Sequence, residues 1–312
     1  MGVVVNVDNF ARAETHRMMR DLQQAAGGVN RFDHRREPAA IDKQTVIRMN
    51  RDTLYSSAIV DVTGGATLSI PEHGNRYLSA MVVNEEHYVN AVFHEPGRYE
   101  LTQEQFGSAY VQVVVRILVS PDDPEDVATV AALQDRIGLE AGSSTPFAMP
   151  DYDQRSLDET REALLALARN LTEFEGAFGA EGEVDPVRHL IGTAAGFGGL
   201  PATEARYIHV EPQLPVGQHE LTVGEVPVDG FWSVTVYNAH GFFEPNDRDS
   251  YSVNNLTGAP NPDGTITIRF GDYPPNVPNA IPTPEGWNYA VRLYRPRAEI
   301  LDGRWVFPSL RE

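Results

Sequence analysis

Short runs of β-branched and aromatic residues, each cut off by glycine, proline or asparagine, fill two long blocks of this chain. Antiparallel β structure accepts that pattern, and little else does. From about 46 to 119 the runs are VIRM, SSAIVDV, ATLSI, YLSAMVVN, NAVF, GRYEL and YVQVVVRILVS, punctuated by Gly64-Gly65, Pro71, Gly74-Asn75 and Pro96-Gly97. From about 201 they return as ARYIHVEP, QHELTVG, FWSVTVYN, SYSVNN, TITIRFG and NYAVRLYRP. Helical periodicity occupies other stretches. Asp8 or Asn9 opens a helix over 10–26 that Gly27-Gly28 ends, Asp126 leads a helix within 121–140, and Ser156 with Glu159 forms a capping box for 156–178. The fold expected is mainly β with helical segments: two antiparallel β-sandwich- or barrel-like domains bridged by helices. The boundaries follow as an N-terminal helix and loop (1–40), a β domain (41–120), a helical connector (121–200) and a second β domain (201–312).

Composition removes whole classes of chemistry. With no cysteine there is no disulfide frame, thiolate nucleophile or cysteine-bound metal. The formal charge of −19 opposes binding to nucleic acid and to an anionic membrane surface. Lys43 is the one lysine among 25 basic residues and sits in a polar run, which disfavours Schiff-base catalysis. No stretch has the length and apolarity of a membrane span or a signal peptide, so a cytoplasmic protein is expected. The glycine run at 192–199 follows no strand and carries no P-loop lysine, so it reads as a turn between domains. Asn170-Leu171-Thr172 and Asn255-Leu256-Thr257 match glycosylation spacing and carry no weight in a cytoplasm.

The densest chemistry lies at 48–55, where Arg48, Asn50, Arg51, Asp52 and Tyr55 stand at the mouth of an apolar strand. Such groups must find each other or a ligand. If the segment is extended, Arg51 and Asp52 face opposite ways; if it turns, both can serve one pocket. Asp52 is then a general base, with an arginine as carboxylate fork. The competing reading is a buried arginine–aspartate network that fixes the strand. Arg116 in an apolar strand, Arg206-Tyr207, and Arg292 beside Tyr294 raise the same two alternatives. In FWSVTVYN, Phe231, Ser233, Thr235 and Tyr237 share one face, while Trp232, Val234 and Val236 form the core face. Glu85 with His87, and His209 with Glu211, would each share a strand face and offer weak ligands for a divalent metal.

RMNRDTLYSSAIVDV and LSIPEHGNRYLSAMVVN in the first half resemble the DUF1254 domain. DGFWSVTVYN, the Gly241–Asn246 turn, NPDGTITIRF and VRLYRP in the second half resemble the DUF1214 domain. The likeness runs from about 40 to 310 and departs at YPPNVPNAIPTPEGW, where Trp287 comes late. The resemblance implies a β-sandwich-like domain in each half, bridging helices and a homo-oligomer, and names no activity.

The expectation from these residues is an acid–base enzyme (a hydrolase, lyase or isomerase) acting on a carboxylated or oxygen-rich small molecule in a pocket between the β domains. Asp52, Tyr55, Tyr207 and Tyr237 are the catalytic candidates. Arg48, Asn50, Arg51, Arg116, Arg206, Trp232, Asn246 and Arg292 are the substrate-binding ones. No cofactor is expected. The alternatives are a non-catalytic small-molecule-binding or assembly protein and, behind it, a metal-dependent hydrolase.

Overall fold

The structure, a computed structural model, describes residues 2–44, 47–169, 171 and 173–310. Asn170 and Thr172 of the first glycosylation spacing, and Val46 of the expected strand VIRM, lie outside the described residues. The chain forms two compact units that do not follow its order. Unit 1 takes 1–36, 54–118 and 125–202; unit 2 takes 37–53, 119–124 and 203–312. The contiguous division expected at 40, 120 and 200 therefore differs from what is observed. The polar segment 48–53 folds with the C-terminal strands, and residues 125–200 fold with the first β block.

Unit 1 contains α1 (Phe10–Ala26), β1 (Asp33–His34), β2 (Thr53–Asp61, its first residue in unit 2), β3 (Ala66–Ile70), β4 (Leu78–Val83), β5 (Val89–Phe93) and β6 (Gly97–Leu101). It continues with α2 (Gln103–Phe106), β7 (Tyr110–Leu118), α3 (Pro124–Gln134, after its first residue), β8 (Gly138–Ala141), α4 (Gln154–Ala168) and α5 (Pro186–Ala195). One sheet runs in the order β1-β2-β7-β4-β5 and another β6-β3-β8, with antiparallel pairing at each assigned ladder. β4 is buried throughout and β7 at every position after Tyr110. α1, α4 and α5 pack on one another around Phe10, Leu157, Leu164 and Ile191.

Local chemistry explains several departures from the sequence reading. Asp153, rather than Ser156, caps α4 by accepting from the Ser156 N–H at 2.8 Å. Asp126 lies in the first turn of α3 and pairs with Arg76. Glu85 and His87 sit in the tight β4–β5 turn, not on a strand face, and diverge to different partners. The glycine run at 192–199 ends α5 inside unit 1, where the Gly198 N–H donates to His87 Nε2 at 3.0 Å.

Unit 2 contains β9 (Ala205–Val210), β10 (His219–Val223), β11 (Trp232–Tyr237), β12 (Ser252–Asn254), β13 (Ile266–Phe270), β14 (Ala280–Ile281), β15 (Asn288–Tyr294) and α6 (Ala298–Leu301). The sheet β12-β11-β15-β9 is antiparallel; β10-β13-β14 ends in a parallel pair. Val234, Val236, Val253, Val291 and Leu293 of the first sheet meet Leu221, Ile268 and Phe270 of the second in one core. Each such fully buried side chain contributes roughly 1.5–3 kcal/mol. The result is a β-sandwich, as the alternating strands implied. Among the described residues no helix is long and apolar enough to cross a membrane.

Candidate functional site

Strand alternation gives the β12-β11-β15-β9 sheet a second face with a different character. Register places Ser233, Thr235 and Tyr237 of β11 opposite Arg292, Ala290 and Asn288 of β15. Ser252 and Asn254 of β12, and Tyr207 and His209 of β9, extend the same face. Ser233, Thr235, Tyr237, Asn254 and Arg292 are all buried, so this polar surface is covered. What covers it is the segment carrying the RMNRD motif.

Residues 47–48 are a turn and 49–50 have no regular structure, so the segment does not continue a strand. Arg48 adopts a left-handed φ of 53°, and its N–H donates to Gly241 O at 2.7 Å. Gln44 exchanges both amide hydrogen bonds with the Phe243 backbone, at 2.7 and 2.9 Å. From the sheet, Arg292 donates to the carbonyls of Arg48 (2.8 Å) and Met49 (3.4 Å), to the Tyr237 hydroxyl (2.7 Å) and to Thr235 Oγ1 (2.9 Å). Tyr237 in turn donates to Met49 O at 2.7 Å. Asn50 donates to the Tyr294 hydroxyl at 3.0 Å and accepts from the Asp52 N–H at 2.7 Å. Burial works against the Arg292 charge, but Tyr237, Tyr294 and Asp52 outweigh it and raise its pKa. Burial also pushes the Tyr237 phenol up, against the pull of Arg292.

Asp52 is wholly buried. Its Oδ1 accepts from Asn254 Nδ2 at 3.0 Å and Ser252 Oγ at 3.2 Å, while Oδ2 has no hydrogen-bond partner. Arg48 Nε, Ser233 Oγ, His209 Nδ1 and Asn288 Oδ1 share that condition. Burial, then Arg48 and Arg292, lower His209 to about 4, so its ring is neutral at ordinary pH. At the Asn288 end of the face a cavity of about 850 Å³ opens, lined by Glu211, Gln213, Leu214, Ala239, Trp287 and Asn288 among others.

The remaining candidates separate. Arg51 turns away from Asp52, donating to Ala39 O at 2.5 Å, lying 3.8 Å from Asp122 and 5.3 Å from the Tyr251 ring centroid. An Arg51–Asp52 pair is therefore not formed. Arg206 lies on the sheet face opposite Arg292 and Tyr207. Trp232 belongs to the apolar core against Phe307. Asn246 spends its side chain on its own loop, bonding Arg248 N and Ser250 N and O. Tyr55 and Arg116 belong to unit 1, where the guanidinium lies 5.4 Å from the Tyr55 ring centroid and donates to Gly198 O at 2.6 Å. Ser252, Asn254, His209 and Asn288 were not singled out for this site. Their signal is cross-strand register, which the spacing of a single strand does not carry. Among the described residues no three His, Asp or Glu side chains gather as metal ligands.

Residues 29–141 match the family model described as protein of unknown function (DUF1254), and residues 215–298 match protein of unknown function (DUF1214). The chain belongs to the two-domain family that these models define. It is similar to the crystal structure of the VPA0106 protein from Vibrio parahaemolyticus, at 17% identity and TM-score 0.76, over 98% of this chain and 97% of that one. It is also similar to an uncharacterized protein from Burkholderia cenocepacia, at 13% identity and TM-score 0.55, over 96% and 86% of the two chains. Those likenesses establish the fold. No curated protein matches the chain.

Proposed function

We propose that this protein processes a small, hydroxyl-rich molecule by acid–base chemistry at the polar face of unit 2, with Asp52 as the base. The observation that carries this reading is the free Oδ2 of a wholly buried carboxylate, on a face that also holds unpartnered Arg48, Ser233, His209 and Asn288 atoms. Buried polar groups without partners are rare and concentrate where a ligand or ordered water completes them. The cavity lies at the Asn288 end of the face and Asp52 toward the Ser233 end, beside Asn254, and a path from one to the other is part of the proposal. The cavity's Glu211 and Glu285 favour hydroxyl or amine donors over a carboxylate. A homo-oligomer in the cytoplasm is the setting we propose for it, and light scattering on the purified protein tests the oligomer.

A second reading has its own support. Arg292 is spent on the carbonyls of Arg48 and Met49, which makes it a clamp that assembles the unit. Asp52→Asn separates the two. The amide oxygen keeps both donors from Ser252 and Asn254, and the amide nitrogen replaces the free Oδ2, so shape and hydrogen bonds survive. On the enzyme reading, Tm changes little. A panel of polyols, sugars and hydroxy acids then stabilises the wild type but not the variant. On the assembly reading the variant removes the countercharge of Arg292 and loses about 3–5 kcal/mol of unfolding free energy, as for a broken buried pair. That outcome, with no panel member raising the wild-type Tm, overturns the proposal.

A further inference from the structure

We infer a second reactive centre in unit 1, in which Tyr152 is a nucleophile, His16 its base and Glu85 the group that orients the base. α1 places Arg12 and His16 one turn apart on one face. The β4–β5 turn delivers Glu85, whose Oε2 lies 3.2 Å from His16 Nε2 and whose Oε1 accepts from the Tyr110 N–H at 2.9 Å. Tyr152 is fixed by its backbone: Val3 N donates to Asp151 O at 2.6 Å and Asp153 N to Val3 O at 2.8 Å. Its hydroxyl lies 3.0 Å from His16 Nδ1. Phe147, 5.2 Å from the imidazole centroid, packs edge-on against the ring.

The protons follow from these partners. Glu85 is desolvated, yet the His16 and Tyr110 hydrogen bonds and the nearby Arg12 guanidinium, 3.6 Å away, hold its carboxyl below the usual range. An ionised carboxylate only accepts, so His16 donates to it from Nε2, and the neutral tautomer with that proton leaves Nδ1 as the acceptor. The Tyr152 hydroxyl must then donate to Nδ1. Burial raises the Tyr152 phenol, with Arg12 opposing, so at neutral pH it is an intact phenol facing a base. His16 and Glu85 are buried while Tyr152 is half-exposed. Nucleophile, base and orienting carboxylate thus stand in line, with the nucleophile outermost.

The substrate class this geometry suits is a carboxylic ester. Tyr152 Oη attacks the ester carbonyl carbon as its proton passes to His16 Nδ1, giving an imidazolium steadied by Glu85. The tetrahedral intermediate collapses, the C–O bond to the alcohol breaks, and the leaving alkoxide takes the proton from Nδ1. Water then attacks the acyl-tyrosine, giving its proton to Nδ1. The acid departs as Tyr152 takes that proton back. The Arg12 charge acts on the phenol, against Glu86 and Glu85, and is the cation offered to the developing negative charge.

The test uses the intact chain with p-nitrophenyl acetate, following acetylation of each tyrosine by peptide mass mapping and release of nitrophenolate by absorbance. Tyr99 is an internal reference, since it is also half-buried but donates to the Glu95 carbonyl at 2.7 Å. Tyr152 is expected to acetylate on the order of a hundred times faster than Tyr99, the lower end of what a positioned general base supplies. His16→Gln removes that advantage. Glu85→Gln, which acts only through the imidazole, lowers the Tyr152 rate and leaves the Tyr99 rate unchanged. Equal rates at Tyr152 and Tyr99 in the wild type overturn the inference without reference to any variant. So does an unchanged Tyr152 rate in a folded Glu85→Gln protein.

Discussion

The two units bury charge in opposite ways. In unit 1 buried or half-buried ions are matched side chain to side chain. Glu14 takes both Arg17 (2.6 Å) and Arg161, Arg76 takes Asp126 (2.5 Å), and Glu85 takes a hydrogen bond from His16 (3.2 Å). Arg116 on Gly198 O is an exception, and so is buried Asp61, whose two oxygens accept from Thr63 and from the Thr145 N–H. In unit 2 three guanidinium groups settle on backbone carbonyls, Arg292 on residues 48 and 49, Arg51 on Ala39, and Arg248 on Tyr273, Pro274 and Val277, while Arg269 pairs with Glu220. Its buried carboxylate, Asp52, is held by neutral donors and keeps one oxygen open. A cation on carbonyls shapes loops without consuming an anion. That difference leaves an unspent buried base in unit 2, whereas in unit 1 the unspent group lies at the end of a chain of partners.

Arg292→Met puts the contrast under the greatest load. The substitution preserves bulk but strips hydrogen-bond donors from the carbonyls of Arg48 and Met49, from Thr235 and from Tyr237. The expected loss is about 3–5 kcal/mol, in the range for an unpartnered buried group, read from urea unfolding. Glu14→Gln in unit 1 should cost less, about 1–3 kcal/mol, because hydrogen bonding is only partly lost. Arg17 and Arg161 also keep Asp21 and Asp158. A larger loss from Glu14→Gln would reverse the comparison.

What was legible in the sequence divides along the same line. The two faces of FWSVTVYN, the helix at 10–26 and the sandwich architecture follow from periods of two and 3.6, which are local properties. The density of polar groups at 48–52 marked a place where partners were needed. Which partners was not legible, because Asp52 meets Ser252 and Asn254 some two hundred positions away through the register of β11 with β12. The same limit applied to Glu85 and His87. Their spacing suggested one strand face, but the turn between β4 and β5 sends one to α1 and the other to α5. Nor did composition reveal that residues 37–53 fold with the C-terminal strands.

Acid exposes the next difference, since desolvation holds a ring neutral in each unit, His87 in unit 1 and His209 in unit 2. Burial, with His189 adding to it, lowers His87 to about 3, and its Nε2 must stay bare to accept from Gly198 N–H. The unfolded chain titrates near 6.5, so below that pH it takes up a proton that the folded state refuses. Stability is complete above about pH 6.5 and declines toward pH 3 by up to about 1.4 kcal/mol per pH unit. His209, lowered to about 4, adds a decline of the same sign over a narrower window. Urea unfolding at pH 7 and pH 5 should show a smaller loss in His87→Asn than in the wild type, by about 2 kcal/mol. In His209→Asn the difference should be almost the same, because folded-state values of about 3 and about 4 separate only below about pH 4. Equal losses in all three proteins would mean that neither ring is held neutral by its unit.

The smallest effect tests whether the 47–48 turn is truly built against unit 2. Gly241 has φ of 82°, accepts the Arg48 N–H, and would place an added Cβ 3.2 Å from Ile47 Cβ. Gly74, in unit 1, also has a positive φ, 61°, but an added Cβ there meets nothing within 4 Å. Both Gly→Ala changes carry the left-handed penalty of about 1–2 kcal/mol. Only Gly241→Ala must also displace Ile47, adding an amount on the order of 1 kcal/mol for overpacking. Thermal unfolding of the two variants side by side isolates that excess, since the backbone penalty is common to both. An excess near zero would show that the turn yields freely, and the clamp formed by Arg292 would then be holding a loop with little packing of its own. A clear excess would make the turn a fitted part of unit 2, and the open Oδ2 of Asp52 a position that the fold maintains.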